Sequence, residues 1–284
     1  MSWTRALLFN FAFFAWTAIV GTIGLPSLVS RTATMRFGRF WARGVLVLLR
    51  VVVGLDHQIR GLDRIPRGGC IVAMKHQSAW DTLILPVALD DPAVVLKREL
   101  VLVPFYGWYA ARAGSIAVDR KAGASALRRM IAAARPVAAE GRPIVIFPEG
   151  TRVAPNTHLT YQPGVAALYQ ALGLPLIPAA VNSGLFWGRR SFLKRPGRIL
   201  LEFLEPIPPG WPRRRLMAEL ERRVETATAA LLREGEAALC TVSSATPPAP
   251  PMASRHGGGT GPCASGKVGA GNRRNLRPDE VTNE

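Results

Sequence analysis

Residues 70–81 read CIVAMKHQSAWD, and this stretch decides how the rest of the chain is interpreted. The apolar run at 70–74 predicts a buried strand, and a polar loop follows it. His76 and Asp81 are five residues apart, which is about 140° around a helix, so they cannot share one face of a continuous helix. They meet if His76 lies in the loop and Asp81 lies in the first turn of the next helix, with Ser78 as its N-cap. We interpret the pair as a catalytic base and its orienting acid.

From residue 57 onward, short apolar runs alternate with helix-like segments. Such alternation is typical of an α/β fold. The predicted strands are 57–60, 70–74, 94–97, 115–119, 143–147, 175–181 and 198–204. The predicted helices are 80–89, 123–139, 163–172 and 213–239. The expected fold class is therefore mixed α/β, with a largely buried sheet flanked by helices.

Cationic residues follow the predicted strand at 115–119. Residues 114–120 read GSIAVDR, and Lys121 comes next. The forked guanidinium of Arg120 suits a phosphate group. Ligands of α/β sheets gather at the carboxyl ends of strands, so this segment and the 70–81 stretch are expected to serve one site.

Residues 147–152 read FPEGTR and follow the predicted strand at 143–147. Proline stops the strand, and Gly150 permits backbone angles that other residues avoid. Arg152 offers a second clamp for phosphate. Glu149 is expected to brace Arg152 or to bind a substrate hydroxyl rather than to act as the base.

Residues 176–182 read LIPAAVN, an apolar strand that contains a proline. Because proline lacks a backbone N–H, Pro178 suggests a sheet edge or a bulge. The segment either lines a channel for an acyl chain or packs in the core.

The amino-terminal segment is strongly apolar. Between Arg5 and Arg31 lie 25 residues without a charge. As a helix they would rise about 37 Å, enough to cross a hydrocarbon core. Gly21, Gly24 and Pro26 interrupt the second half, so a shallow or re-entrant helix is the alternative. A cleaved signal peptide and a buried core helix fit this composition less well.

A second amino-terminal helix is predicted over 36–55. Its basic residues are spaced at intervals of three, four and seven, which gives a single narrow stripe, and they are Arg36, Arg39, Arg43 and Arg50. The rest is almost entirely apolar, which suits a membrane surface or a core helix with one solvated edge. We expect a two-helix membrane element whose following arginines place the next domain on the cytosolic face of the inner membrane.

The charge and the cysteines narrow the class of protein. The formal net charge is +17, which favours anionic partners: lipid headgroups, nucleic acid or an acidic carrier protein. Nucleic acid is not expected, because no RNP signature, zinc finger or basic-region heptad is present. Three cysteines at unrelated spacings form neither a disulfide framework nor a zinc site.

The carboxyl-terminal composition changes sharply. Residues 247–251 read PPAPP and 257–259 read GGG. Such a segment buries too little apolar surface to offset its ordering entropy. The expected organisation is membrane-anchoring helices at 1–55, an α/β domain at 56–240 and a disordered tail at 241–284.

Together these motifs resemble the glycerolipid acyltransferase family, in particular its bacterial 1-acylglycerol-3-phosphate acyltransferases, over residues 57–210. The matching segments, in the family's order, are His76-x4-Asp81, 114–120, 147–152 and Ile177-Pro178. Lys97-x-Glu99-Leu100 with Pro104-Phe105-x-Gly107 matches another recurrent stretch. One departure is YQPG at 161–164, where relatives often carry a lysine before the glycine.

The resemblance implies transfer of a fatty acyl group to the free hydroxyl of 1-acylglycerol-3-phosphate, giving phosphatidic acid. His76 would be the general base and Asp81 would orient it. The implied phosphate-binding residues are Arg120, Glu149, Gly150, Thr151, Arg152 and Lys97, and the implied acyl-channel residues are Ile177 and Pro178. No metal or cofactor is expected. The co-substrate would be acyl-CoA or acyl-carrier protein.

Three alternatives stay open from the sequence. In the first, the acceptor is another lysophospholipid or a lyso-ornithine lipid. A serine hydrolase using Ser78 is disfavoured, because no Gly-x-Ser-x-Gly is present. A non-catalytic, basic membrane-binding protein is the third.

Overall fold

The structure, a computed structural model, describes residues 3–119 and 122–244. The strands in these ranges are β1 (Leu55–Arg60), β2 (Ile71–Met74), β3 (Ala93–Lys97), β4 (Ile116–Val118), β5 (Ile144–Ile146), β6 (Leu176–Val181) and β7 (Gly197–Phe203). The helices are α1 (Trp3–Ile23), α2 (Arg31–Leu48), α3 (Trp80–Ala88), α4 (Tyr106–Arg112), α5 (Gly123–Ala139), α6 (Gly164–Leu172) and α7 (Arg213–Ser244). The predicted mixed α/β fold is confirmed. The short helix α4 was not predicted.

The seven strands form one sheet in the order β1-β7-β6-β2-β5-β3-β4. Strands β6, β2, β5, β3 and β4 are parallel, whereas β7 is antiparallel to β6. The carboxyl ends of the five parallel strands therefore lie along one edge of the sheet. The segments 75–81, 97–100 and 147–152 each lie at one of these ends, as does Asp119.

Helices cover both faces of the sheet, which explains why the central strands are continuous apolar runs. On one face, Val72 and Met74 of β2 pack with residues of α1, α2 and α3. On the other face, Ile71 and Ala73 pack with residues of α5, α6 and α7. Side chains alternate along a strand, so the four residues of β2 serve both cores.

Strand β6 lies inside the sheet, between β7 and β2, so the edge position considered for Pro178 is wrong. The pairing beside it is bulged instead. Leu176 bridges Ile207 while Ala179 pairs with Phe203, so the returning segment has one extra residue. The Leu204 N–H donates to the Pro178 carbonyl at 2.8 Å. The bulge is where a residue without an N–H is tolerated.

Helix α1 is long and apolar enough to span a membrane, by length and composition. It also packs against the domain: its Phe9 is fully buried in the core on the α1 side of the sheet. Helix α2 contributes Val45, Leu46 and Leu49 to the same core. Both helices belong to one compact unit, Met1–Thr246.

The arginine stripe, which runs along α2 into the π-helical turn Leu49–Val53, divides into two roles. Arg36, Arg43 and Arg50 are exposed. Arg39 instead binds the end of α3, donating to the carbonyls of Pro86 at 2.7 Å and Leu89 at 3.3 Å. It therefore holds α2 on the domain and is not available to a membrane surface.

Helices α1 and α2 approach closely at Gly44. The Trp16 indole lies against this glycine and donates from Nε1 to the Trp41 carbonyl at 3.1 Å. A Cβ added to Gly44 would lie 2.2 Å from the Trp16 ring. Gly44 therefore sets the distance between the two helices.

Helix α7 continues to Ser244, beyond its predicted end at 239. Most of the tail that was predicted to be disordered, residues 245–284, lies outside the described residues.

We predict that Gly44→Ala destabilises the α1–α2 pair, because the Trp16 ring must shift. Overpacking of this kind costs about 1–3 kcal/mol, against about 1 kcal/mol that alanine contributes by helix propensity. Gly38→Ala is the matched control on α2, since a Cβ there meets nothing within 4 Å. Thermal unfolding in detergent should rank the proteins Gly38→Ala, wild type, Gly44→Ala, from most to least stable. Equal midpoints for the two variants would contradict the close approach.

Candidate active site

His76 and Asp81 meet as the sequence predicted, across the turn from β2 into α3. The His76 Nδ1 atom lies 2.9 Å from Asp81 Oδ2. Asp81 is in the first turn of α3 and is fully buried, whereas the His76 side chain is 13% exposed. When Nδ1–H donates to the carboxylate, Nε2 carries the lone pair. The arrangement can therefore accept a proton at Nε2.

The Asp81 carboxylate is held by three further donors. Its Oδ2 accepts from the backbone N–H groups of Gln77 at 2.7 Å and Ser78 at 2.8 Å. Its Oδ1 accepts from the Ser183 hydroxyl at 2.5 Å. Hydrogen bonds to a carboxylate stabilise its charge in a buried place. Ser183, which follows β6, was not identified from the sequence; its only signal was its position just beyond a strand end.

Ser78 has a structural role in this geometry. Its hydroxyl accepts from the Trp80 N–H at 3.2 Å, at the start of α3. The residue is fully buried. The predicted N-cap at Ser78 is wrong by one residue: α3 begins at Trp80, so Ala79 is its N-cap, and the Ser78 hydroxyl supports the turn just before the helix.

The loop after β5 packs directly on His76. The Phe147 ring stacks on the imidazole with ring centroids 4.0 Å apart and an interplanar angle of 21°. The Val153 N–H donates to the His76 carbonyl at 2.7 Å. The segment 147–152 is therefore held beside the imidazole by contacts at both of its ends.

Glu149 does not brace Arg152 in this structure. Its side chain is completely buried, and its Oε1 lies 3.0 Å from the Lys75 ammonium. The same ammonium donates to Glu225 of α7 at 2.6 Å, and the Tyr161 hydroxyl donates to Glu225 at 2.8 Å. Burial raises the pKa of Glu149, and the charge of Lys75 opposes that shift. This group, which we call the Lys75 cluster, connects the residue before His76 to the 147–152 segment and to α7.

The other predicted phosphate ligands are more exposed. Arg152 is partly exposed, and within the described ranges it forms no ion pair with an acidic side chain. Gly150 has a φ of +70°, which lies in the left-handed region that favours glycine. Lys97, at the carboxyl end of β3, is 50% exposed and lies 3.1 Å from Glu99 Oε1. Arg120 lies outside the described residues.

Ile177 and Pro178 are buried within β6, where Ile177 packs in the core. A separate apolar cavity of about 650 Å³ lies between α1, α2, α3 and the segment 103–115. Thr82 and Leu83, which directly follow Asp81, are among its lining residues. Neither Ile177 nor Pro178 lines it, so the cavity supplies a different set of acyl-channel candidates.

The cavity wall includes a strained backbone position. Phe105, which lines the cavity, has a φ of +61° although it is not a glycine. Two residues later, a Cβ on Gly107 would lie 1.9 Å from the Val101 carbonyl oxygen. Gly107 is thus required by the tight turn that presents Phe105. Among the described residues, no three His, Cys, Asp or Glu side chains are placed to hold a metal ion.

Comparison with known proteins gives consistent relatives. The family model described as Acyltransferase matches residues 56–182. A 1-acyl-sn-glycerol-3-phosphate acyltransferase of Pseudomonas aeruginosa is 34% identical over 224 residues, which cover 78% of this chain and 87% of the relative. The protein of the same description from Saccharomyces cerevisiae is 27% identical, over 58% of this chain and 56% of the relative.

A solved structure has the same fold. The crystal structure of the 1-acyl-sn-glycerophosphate (LPA) acyltransferase of Thermotoga maritima matches with a TM-score of 0.68 and 21% identity. The match covers 80% of this chain and 95% of that chain.

We predict a pH-dependent effect of Glu149→Gln on stability. Because the pKa of Glu149 is raised above its ordinary 4.5 in the folded state, its contribution to stability is present below that pH and is lost as the pH rises through the raised value. Glutamine does not titrate, so the variant loses no stability through ionisation at this position. The unfolding free energy of Glu149→Gln should therefore improve relative to wild type as the pH rises above 4.5.

The matched control is Glu236→Gln, which removes an exposed carboxylate from α7. Thermal unfolding across the pH range measures both variants. A Glu149→Gln deficit that grows with pH would mean that the carboxylate is stabilised as an anion by Lys75 more than it is penalised by burial.

Proposed function

The chain belongs to the acyltransferase family, and we propose that it transfers a fatty acyl group to the free hydroxyl of 1-acylglycerol-3-phosphate, giving phosphatidic acid. It is an O-acyltransferase. The observation that carries the proposed mechanism is the His76–Asp81 pair, with 2.9 Å between Nδ1 and Oδ2. The pair lies at the edge of the sheet where the carboxyl ends of the parallel strands meet.

In this mechanism His76 acts as the general base. An alcohol is a weak nucleophile at neutral pH, so its proton must be taken as it attacks the thioester carbonyl. His76 Nε2 takes that proton, and Asp81 stabilises the resulting imidazolium. The tetrahedral intermediate then collapses, the carbon–sulfur bond breaks, and the imidazolium returns the proton to the leaving thiolate. No acyl-enzyme is formed.

The acceptor's phosphate is held by cations that follow the neighbouring strands. Arg152 follows β5, which pairs directly with β2, and Lys97 ends β3, which pairs with β5. At about 4.8 Å per strand, Lys97 begins about 10 Å from the His76 strand, within reach of a long side chain. Arg120 is proposed as a third ligand. Gly150 and Thr151 shape the turn that presents Arg152.

Glu149 supports this site indirectly. A carboxylate repels phosphate, and its contact with Lys75 supports a role in holding the 147–152 segment rather than in binding the headgroup. Tyr161, in the loop where relatives carry a lysine, contributes its hydroxyl to the same cluster. The adjacent Gln162 is exposed and offers an uncharged contact.

The apolar cavity is proposed to hold an acyl chain. Its volume of about 650 Å³ lies within the usual range for ligand pockets. Thr82 and Leu83 join it to the turn that carries Asp81. An acyl chain lying there would bring its carboxyl end toward His76. The donor is acyl-CoA or acyl-carrier protein, with no metal or cofactor.

The amino-terminal helices are proposed to hold the domain on the cytosolic face of the inner membrane. Helix α1 touches the domain near both ends: Trp3 stacks on Phe192, and the Tyr109 hydroxyl donates to the Gly21 carbonyl at 2.8 Å. A helix bound along its length supports insertion in one leaflet rather than a span across both. Exposed Arg36 and Arg43 of α2 would then meet anionic headgroups.

We predict that His76→Ala lowers kcat with lysophosphatidate and acyl-CoA by about 100-fold or more, because the general base is lost. Ser78→Ala is the matched control, since its hydroxyl only accepts from the Trp80 N–H at the start of α3, and it should keep most of the activity. Release of free thiol measures both. Loss of activity in Ser78→Ala together with an acyl-serine adduct would make this protein a serine-dependent enzyme instead.

We also predict that Arg152→Gln weakens kcat/KM for lysophosphatidate by roughly 10- to 100-fold, the value of one charge-assisted hydrogen bond to phosphate. Arg233→Gln, which removes an exposed arginine from α7, is the control. A panel of lysophosphatidate, other lysophospholipids and lyso-ornithine lipid, with both donors, identifies the acceptor. An equal loss with an acceptor that lacks phosphate would contradict the assigned role of Arg152.

A further inference from the structure

The loop between β6 and β7 carries charges and apolar side chains that the proposed reaction does not use. Residues 187–195, which we call the 187–195 loop, read WGRRSFLKR. Its base is closed by a hydrogen bond from the Arg195 N–H to the Phe186 carbonyl at 2.8 Å. The Ser191 hydroxyl donates to the Leu193 carbonyl at 2.6 Å, and Arg190 has a φ of +57°. The loop is therefore a defined turn that projects its tip.

Lys194 fastens this loop to α1. Its ammonium donates to Asn10 Oδ1 and to the Phe192 carbonyl, both at 3.0 Å. It also lies 4.9 Å from the centroid of the Phe9 ring and 5.1 Å from that of Trp187. Burial lowers the pKa of Lys194 to about 8. The loop and the first turns of α1 thus form one packed unit.

The tip of the loop continues the apolar surface of α1. Phe192 is 41% exposed and Leu193 is 37% exposed, and Phe192 stacks on Trp3 with ring centroids 5.5 Å apart. The exposed stripe along the helix, at spacings of four, four and three, comprises Trp3, Leu7, Phe11 and Phe14. Extended apolar surfaces of this kind mark interaction sites in proteins.

Three guanidinium groups border the apolar tip. Arg189, Arg190 and Arg195 are exposed, and within the part of the chain that the structure describes none forms an ion pair with an acidic side chain. Apolar side chains inserted beside unpaired arginines match the boundary between acyl chains and anionic headgroups.

We propose that the 187–195 loop is a second membrane contact, in which Phe192 and Leu193 enter the acyl region while Arg189, Arg190 and Arg195 bind the phosphates of anionic lipids. It acts together with the amino-terminal end of α1. The proposal goes beyond the acyltransferase reaction and rests on it only in assuming a lipid acceptor.

The loop's position gives this contact a consequence for the site. Gly184, in the turn that leads from β6 to the loop, donates its N–H to Gln77 Oε1 at 3.0 Å, one residue from His76. A bilayer bound at the loop would therefore lie near the turn that carries His76. Together with α1, it fixes which way the site faces the membrane.

An acidic acyl-carrier protein is the other partner that the arginines would suit. The apolar tip favours the bilayer, because Phe192 and Leu193 continue the exposed face of α1 instead of being isolated among charges. The experiment distinguishes the two partners.

The test compares Arg189→Gln/Arg190→Gln with Arg213→Gln/Arg214→Gln in the full chain. The second pair is also exposed and adjacent in sequence, but it lies at the opposite edge of the sheet, because β7 is antiparallel to β6. Partition is measured on phosphatidylcholine vesicles with and without phosphatidylglycerol. We expect the loop variant to partition roughly 30-fold more weakly on anionic vesicles, and the control to change by no more than about twofold.

If α1 alone is enough to hold both arginine variants on the vesicles, a labelling experiment tests whether the loop contacts the bilayer. The thiol introduced by Phe192→Cys should be protected by anionic vesicles from a membrane-impermeant maleimide, whereas that introduced by Arg214→Cys should not. Wild-type labelling supplies the background from the native cysteines.

Equal partition of the two arginine variants, with equal labelling at both positions, would overturn the proposal. The proposal would also be overturned if Arg189→Gln/Arg190→Gln left partition unchanged and raised only the KM for acyl-carrier protein. The loop would then be a binding site for the carrier protein. Activity with a detergent-dispersed acceptor separates this proposal from the proposed function: its absence in the wild type would count against the acyltransferase reaction and not against the loop.

Discussion

The buried carboxylate of Asp81 is the interaction on which the site depends. It is fully buried, and among the described residues no lysine or arginine forms an ion pair with it. Its charge is held by two backbone N–H groups, the Ser183 hydroxyl and the His76 imidazole. Three of these donors lie in the turn at residues 76–78, and the fourth, Ser183, follows β6. Both segments must be in place before the carboxylate can be buried. A buried anion without these partners would destabilise the fold by several kcal/mol, roughly the cost of an unpaired buried charge. Folding and imidazole orientation are therefore coupled.

The Lys75 cluster extends this coupling to α7. Lys75 directly precedes His76. Its ammonium contacts both Glu149, three residues before Arg152, and Glu225 on α7. The base and the proposed phosphate clamp thus share one buried support. The segment that carries the pair also contacts the apolar cavity and the stem of the 187–195 loop: Thr82 and Leu83 line the cavity, and the Gly184 N–H donates to Gln77. The proposed lipid acceptor requires an apolar cavity of this kind beside the His–Asp pair.

Local patterns in the sequence predicted the elements that carry the chemistry, because a strand, a polar turn and a helix start each have local causes. Helix geometry excluded a shared helix face for His76 and Asp81, and the predicted break between strand and helix left the turn as the place where they could meet. Parallel strands with adjacent carboxyl ends explain why the 147–152 segment lies beside His76. Contacts between distant segments had no such signal: Lys75 and Glu225 are 150 residues apart, and Arg39 binds carbonyl groups, which every residue carries. Pro178 suggested either an edge or a bulge, and only the packing of the whole sheet decides between them: the bulge is present and the edge is not.

The tautomer of His76 tests the central claim most directly, since the base must carry its proton on Nδ1 and its lone pair on Nε2. The 15N spectrum of labelled protein in detergent distinguishes the two tautomers. The chain has four histidines, and the signals that disappear in His76→Gln belong to His76. The account predicts an Nδ1-protonated imidazole in the neutral form, and loss of that tautomer in Asp81→Asn. An Nε2-protonated imidazole in the wild type would contradict it, because that nitrogen could not accept a proton from the acceptor hydroxyl.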